Sequence, residues 1–153
     1  MMNKFYYGAA FSRNIGWVTR PEQELLRTKT IAIAGMGGVG GSHLLTLTRL
    51  GIGAFHLSDL DVYELANFNR QAGASIKTIG NAKVDVMASM ALEINPELRI
   101  KTFPNGLDAS NTGEFLTGAD LYVDGLDFFA VQARRRVFAL CAEMEIPAVT
   151  AAP

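Results

Sequence analysis

The chain has 153 residues, of which 49% are hydrophobic and 19% charged, enough apolar material for one compact domain and too little length for two, which excludes a disordered chain. With 14 basic against 15 acidic residues the formal net charge is −1, so no global field draws the protein onto nucleic acid or an anionic membrane, and any anion chemistry must be local. A single cysteine, Cys141, excludes a disulfide-stapled scaffold and a four-cysteine zinc site and fits a reducing cytoplasm. Residues 1–20 lack the apolar core of a signal peptide, and no stretch reaches the roughly 18 apolar residues of a membrane span, so a soluble, cytoplasmic protein is expected.

No repeat, low-complexity tract or linker interrupts the sequence, which therefore reads as an N-terminal arm and helix over 1–28 followed by one nucleotide-binding domain over 29–153. Pro21, with Thr19 on its cap side, opens a short helix through about Arg27. The apolar run Thr30–Ala34 has the form of a strand buried on both faces. A glycine-rich turn follows, then a helical pattern from Val39 to Leu50 that Gly51 stops, and a second strand from Ala54 to Ser58. Residues 59–77 carry no apolar period and have the composition of a functional loop. Helix resumes near Asn81 and runs to about Ile94, where Asn95-Pro96 ends it. Strands over Leu98–Phe103, Asp120–Val123 and Ile146–Thr150 alternate with helices over Asp108–Leu116 and Ala130–Met144. This order predicts an α/β fold: a Rossmann-like open, mainly parallel sheet with helices on both faces and a ligand crevice at the carboxyl ends of its strands.

The turn Gly35-Met36-Gly37-Gly38-Val39-Gly40-Gly41 lies between the first strand and the first crossover helix, where backbone amides and the positive helix end receive a phosphate. Gly35, Gly37 and Gly40 give the glycine-x-glycine-x-x-glycine string, and Asp59 at the end of the second strand is placed to bind ribose hydroxyls. The string does not choose between adenosine nucleotides, and the same glycines also serve close helix–strand packing. No Lys-Ser or Lys-Thr pair closes the run, so a P-loop is excluded.

Hydride transfer needs a nicotinamide pocket, whereas chemistry at a phosphate needs cations and a metal-binding carboxylate beside the nucleotide. The second set is present. Asn67-Phe68-Asn69-Arg70-Gln71 follows Asp59 in the crevice-side loop, and Lys83 falls in the first turn of an expected helix, where the helix dipole disfavours a cation unless an anion lies nearby. Asp124 and Asp127 follow the fourth strand; Asp124 reads as a brace for the strand end and Asp127 as the better holder of magnesium, although aspartates here also serve to cap the next helix.

The combined order of these residues resembles the ubiquitin-activating-enzyme-like adenylyltransferases, the ThiF/MoeB/HesA family. The resemblance rests on Phe11-Ser12-Arg13, the glycine turn at 35–40, Asp59-Leu60-Asp61, Asn67-Phe68-Asn69-Arg70-Gln71, Gly80-Asn81-Ala82-Lys83 and Asp124-Gly125-Leu126-Asp127, with the spacing between them. It implies ATP-dependent activation of a carboxylate, the C-terminal glycine of a ubiquitin-like or sulfur-carrier protein, as an acyl-adenylate with release of pyrophosphate. By that resemblance Gly38 faces the phosphates, Asp59 binds the ribose, Asn67, Arg70 and Lys83 contact phosphates, Asp61 and Gln71 complete the nucleotide set, and Asp127 holds Mg2+. Arg13 matches an arginine that reaches the neighbouring subunit's nucleotide, which implies a homodimer.

The chain departs from the family pattern by stopping at Ala151-Ala152-Pro153, directly after the last apolar strand. It is therefore expected to be a truncated chain, a piece of a longer polypeptide or a split protein that lacks the carrier-binding platform. Cys141 is expected in the core. His43 and His56 have no acidic or cysteine cluster beside them, and Arg134-Arg135-Arg136 reads as a solvated face with one internal ion pair. The competing readings are a nicotinamide-dependent oxidoreductase and a binding-only ATP module.

Overall fold

The computed structural model describes residues 4–151, so the Ala152-Pro153 end and the start of the N-terminal arm lie outside the described residues. Strands β1 (Thr30–Ala34) and β2 (Ala54–Ser58) form where the apolar runs place them, followed by β3 (Arg99–Phe103), β4 (Leu121–Asp124) and β5 (Ala148–Thr150). They make one sheet in the order β3-β2-β1-β4-β5 with every neighbouring pair parallel. The strand order reverses between β1 and β4, and the crevice at that switch point is where such sheets bind ligands.

Helices α1 (Tyr7–Ala10), α2 (Arg20–Thr28), α3 (Gly38–Leu50), α4 (Lys83–Ile94), α5 (Thr112–Leu116) and α6 (Val131–Glu143) surround the sheet. The period-2 alternation of β1 divides the interior: Ile31 and Ile33 pack with Leu44, Phe55, Val84 and Met87 on the α3/α4 face, while Ala32 and Ala34 point to the α5/α6 face. The small alanines there leave room for aromatic rings. Phe103, Phe115, Tyr122 and Phe138 meet successively edge-on, with centroids 5.3, 6.3 and 5.6 Å apart. Cys141 is buried in this second core, as expected, and burial pushes its thiol pKa up.

Several element boundaries differ from the sequence reading. The helix expected from Asp108 starts at Thr112, because the Asp108 carboxylate accepts the amides of Ser110 and Asn111 and holds the chain in a side-chain-stabilised turn. The helix expected near Asn81 starts at Lys83, after Asn81 and Ala82 are drawn into backbone pairing with Tyr63 and Val62. The arm contains α1 and a 3-10 turn over Ser12–Asn14. Tyr7 Oη donates to the Gly51 carbonyl at 2.6 Å, and Asn14 Nδ2 donates to the Arg49 and Leu50 carbonyls at 3.3 and 3.1 Å. The arm therefore helps close the C-terminal carbonyls of α3 at the amino end of the sheet, where Gln23 Nε2 of α2 also donates to the Leu50 carbonyl at 2.9 Å. Thr19 caps α2 through a reciprocal pair with Glu22.

Candidate nucleotide-binding site

The glycine turn is built by backbone contact. Gly35 has φ +87°, and a Cβ there would overlap the Gly125 carbonyl; a Cβ on Gly40 would overlap the Gly35 carbonyl. Gly35, Gly40 and Gly125 thus let β1, the start of α3 and the end of β4 approach at van der Waals distance, a packing role that only glycine fills. Gly37 and Gly38 differ. A Cβ on Gly37 would meet nothing nearer than Gln71 Nε2 at 3.6 Å, and one on Gly38 would come within 3.3 Å of the Arg70 carbonyl. Gly37 is thus not required by internal packing and Gly38 is less crowded than Gly35 or Gly40, and both stand where α3 begins and its first amides lack intrahelical partners.

Asp59, just beyond β2, lies against this turn. Its Oδ2 accepts the Met36 amide at 2.6 Å and its Oδ1 accepts the Asp61 amide at 2.8 Å, so the carboxylate locks two loops together. Each oxygen keeps a second lone pair for a ligand hydroxyl. Tyr63 is 1% exposed beside it, with its hydroxyl pKa pushed up to about 12 by burial and then by the Asp59 charge, so it stays neutral. Nothing local in the sequence singles out Tyr63.

Lys83 is the first residue of α4, 6% exposed, with Nζ 3.0 Å from Asp61 Oδ2. The anion that a lysine at a helix start calls for is thus supplied by the protein through Asp61, whose side chain is 58% exposed. Asn67 and Gln71 are buried. Asn67 Oδ1 accepts the Glu64 amide and its carbonyl accepts the amides of Arg70 and Gln71, so it shapes the loop. Gln71 places its side-chain amide against Gly37, and its Oε1 is buried with no partner, the kind of acceptor that a ligand hydroxyl or water completes. Arg70 packs its stem against Gly38 and keeps its guanidinium exposed, bonded to the Ala66 carbonyl and Asn69 Oδ1.

On the β4 side, Asp124 is the brace expected of it: buried, it accepts from Tyr122 Oη, the Leu126 amide, Arg134 Nε and Thr150 Oγ1. Asp127 is exposed, and its Oδ1 accepts the Phe129 amide at 3.0 Å; α6 begins after Ala130 with no side-chain cap, so Asp127 does not cap it. Among the described residues no three His, Cys, Asp or Glu side chains gather to hold a metal ion by themselves. One exposed carboxylate at the switch point fits magnesium, which takes one or two protein carboxylates and completes its shell with phosphate oxygens and water. His56 instead pairs its Nδ1 with the Phe115 carbonyl.

Arg13 stands apart. It sits beside Asn14 at the C-terminal end of α3, whereas the glycine turn is at the N-terminal end; the 13 residues of α3 separate them by about 20 Å. No arginine side chain spans that distance, so Arg13 does not reach its own chain's glycine turn. A groove between residues 72–82 and α4 takes in none of the glycine-turn residues. No helix among the described residues is long and apolar enough to cross a membrane.

The sequence is 34% identical over 128 residues to the tRNA threonylcarbamoyladenosine dehydratase of Escherichia coli (strain K12), a match covering 83% of this chain and 47% of that protein. It is 35% identical to the ubiquitin-like modifier-activating enzyme 5 of Bombyx mori, covering 87% of this chain and 35% of that protein. The crystal structure of E. coli tRNA N6-threonylcarbamoyladenosine dehydratase in complex with ATP superposes with a TM-score of 0.90 at 29% identity, over 98% of this chain and 61% of that one. The chain spans about half the length of the curated tRNA dehydratases that it matches. With the ThiF family matching residues 11–153, the chain belongs to that family.

Proposed function

We propose that this protein binds ATP at the switch point between β1 and β4 and activates a carboxylate as an acyl-adenylate, releasing pyrophosphate. The observation that carries this reading is the glycine turn at the start of α3, with the Arg70 stem and the Gln71 side chain set against Gly38 and Gly37, the buried Gln71 Oε1 left without a partner, and Lys83 tied through Asp61 to the loop that Asp59 joins to the turn. In this arrangement the turn amides and α3 receive the phosphates, Asp59 holds the ribose, and Arg70 and Lys83 offset the charge that builds on the α-phosphate and departing pyrophosphate. Asp127 would hold Mg2+, which supplies charge neutralisation across the phosphates. The attacking nucleophile is the substrate carboxylate, so no side chain of this protein need form a covalent intermediate.

Arg13 fits a homodimer in which each arm serves the other subunit's nucleotide, since it does not reach its own. The buried single thiol of Cys141 fits a reducing, cytoplasmic setting. For the acceptor we propose the C-terminal carboxylate of a ubiquitin-like or sulfur-carrier protein. The likeness to tRNA dehydratases favours, as a second reading, a carboxylate borne on a modified tRNA nucleoside. Calorimetric titration with ATP–magnesium, with NADH in parallel, tests the first step: ATP binding supports adenylation, and selective NADH binding would move the protein to the oxidoreductases. ATP–pyrophosphate exchange then separates the acceptors, since stimulation by carrier protein or by threonylcarbamoyl-modified tRNA selects between them. ATP binding without exchange in either arm would leave a binding-only module.

A further inference from the structure

We propose that Arg134 is a positioning residue that fixes residues 126–128 and thereby the direction of the Asp127 carboxylate, an inference resting on the reading of Asp127 as the holder of ATP-bound magnesium. Asp124, the last residue of β4, has a fully buried carboxylate. Its Oδ1 accepts Tyr122 Oη at 3.1 Å and the Leu126 amide at 3.3 Å; its Oδ2 accepts Arg134 Nε at 2.6 Å and Thr150 Oγ1 at 3.0 Å. Four donors from β4, its loop, α6 and β5 make this charge a fixed point, and the guanidinium bound to it is fixed in turn.

The rest of the guanidinium is spent on the loop. Nη2 donates to the Leu126 carbonyl at 2.8 Å and the Asp127 carbonyl at 3.3 Å, and Nη1 donates to the Phe128 carbonyl at 3.3 Å. Three successive carbonyls are held by one planar fork, a pattern that a lysine ammonium does not reproduce. Asp127 Oδ1 is tied to the Phe129 amide at 3.0 Å, so the heading of its other oxygen follows the backbone that Arg134 holds. Magnesium demands near-ideal octahedral geometry, and loss of a group that orients a metal ligand costs roughly 10- to 100-fold in metal affinity or activity. Of the three consecutive arginines, only Arg134 reaches the buried Asp124 carboxylate.

The test uses Arg134→Lys, which keeps a cation beside Asp124, with Thr150→Val as a control that removes a donor to the same carboxylate without touching the loop carbonyls. ATP affinity is measured by calorimetry with magnesium and with EDTA, and amide exchange is followed at Leu126, Phe129, Ala130 and Val131. We expect Arg134→Lys to keep its ATP affinity in EDTA, to lose about tenfold or more of the magnesium-dependent gain, and to exchange faster at those four amides. Thr150→Val should lower Tm and leave both the gain and the loop protection intact. A lowered Tm in Arg134→Lys with unchanged gain and unchanged loop protection would overturn the proposal. If the unaltered protein shows no magnesium-dependent gain, the reading of Asp127 fails, and exchange alone decides: unchanged protection in Arg134→Lys overturns the role of Arg134, and faster exchange upholds it.

Discussion

Replacing Lys83 with methionine separates a ligand-binding role from a structural one. Methionine keeps most of the buried stem, so little packing is lost. The pair with Asp61 joins a nearly buried ammonium (7% exposed) to a carboxylate that is 58% exposed. Asp61 rehydrates once the lysine is gone, so the loss is that of a solvent-screened pair, about 0–1 kcal/mol. Against it, removing a cation from the first residue of α4 relieves an unfavourable helix-dipole interaction of about 0.3–1 kcal/mol. The two nearly cancel, and Lys83→Met should change stability by no more than about 1 kcal/mol, or roughly 2–4 °C in Tm for a chain of this size. Loss of a charge-assisted hydrogen bond to phosphate costs about 1.5–3 kcal/mol, or roughly 10- to 150-fold in ATP affinity. Differential scanning fluorimetry and calorimetric ATP titration on the same preparations give both numbers. A large fall in Tm with unchanged ATP affinity would show that Lys83 anchors the 59–82 loop and has no part in binding nucleotide.

The glycines of the turn should divide by what surrounds them. Gly40→Ala forces a methyl onto the Gly35 carbonyl and should cost about 1–3 kcal/mol or more in chemical denaturation, whereas Gly37→Ala should stay within about 1 kcal/mol and weaken ATP binding; equal stability losses would refute that division. Asp120 holds Lys29 Nζ at 2.7 Å and the Thr30 amide at 2.8 Å. Burial raises its carboxyl pKa, but the Lys29 and Thr30 contacts outweigh this and set it below the usual value of 3.8. A depressed folded-state pKa contributes stability that is complete above the unfolded value, about 4, and is lost as pH falls through the folded value. Asp120→Asn should therefore flatten the acid limb of the stability–pH curve below about pH 4 and lower stability near neutrality, and an unchanged acid limb would refute the contribution. Cys141, buried with a raised thiol pKa, should react with a thiol reagent only on unfolding; rapid labelling of the native protein would contradict its place in the core.

The family and the sheet were legible in the chain because their signals are local. Thr30–Ala34 and Ala54–Ser58 are short apolar runs, the glycine turn sits between strand and helix, and Pro21 with Thr19 on its cap side marks a helix start. Asp124 could also be read as a brace, since a carboxylate ending a buried strand needs donors. What each glycine does was not legible. The string at 35–40 is uniform in sequence, and only the folded turn shows that Gly35 must clear the Gly125 carbonyl arriving from β4 and Gly40 the Gly35 carbonyl, while Gly37 meets nothing nearer than 3.6 Å.

Charge pairing across long separations was equally silent, because no periodicity links the partners. Lys83 suggested a nearby anion by its place at a helix start, but that the anion is Asp61 follows from how the 59–82 loop folds back on α4. Arg134-Arg135-Arg136 read as a solvated face with one internal ion pair, and only the convergence of β4, its loop, α6 and β5 on Asp124 shows that Arg134 makes that pair and with which carboxylate. Arg13 precedes the glycine turn in sequence, yet α3 holds them about 20 Å apart, since the arm closes the far end of that helix. Sequence thus determined the elements, whose backbone preferences act over a few residues. Tertiary structure decided the partners, because burying a charge or closing two backbones together depends on which distant segments the sheet order brings side by side.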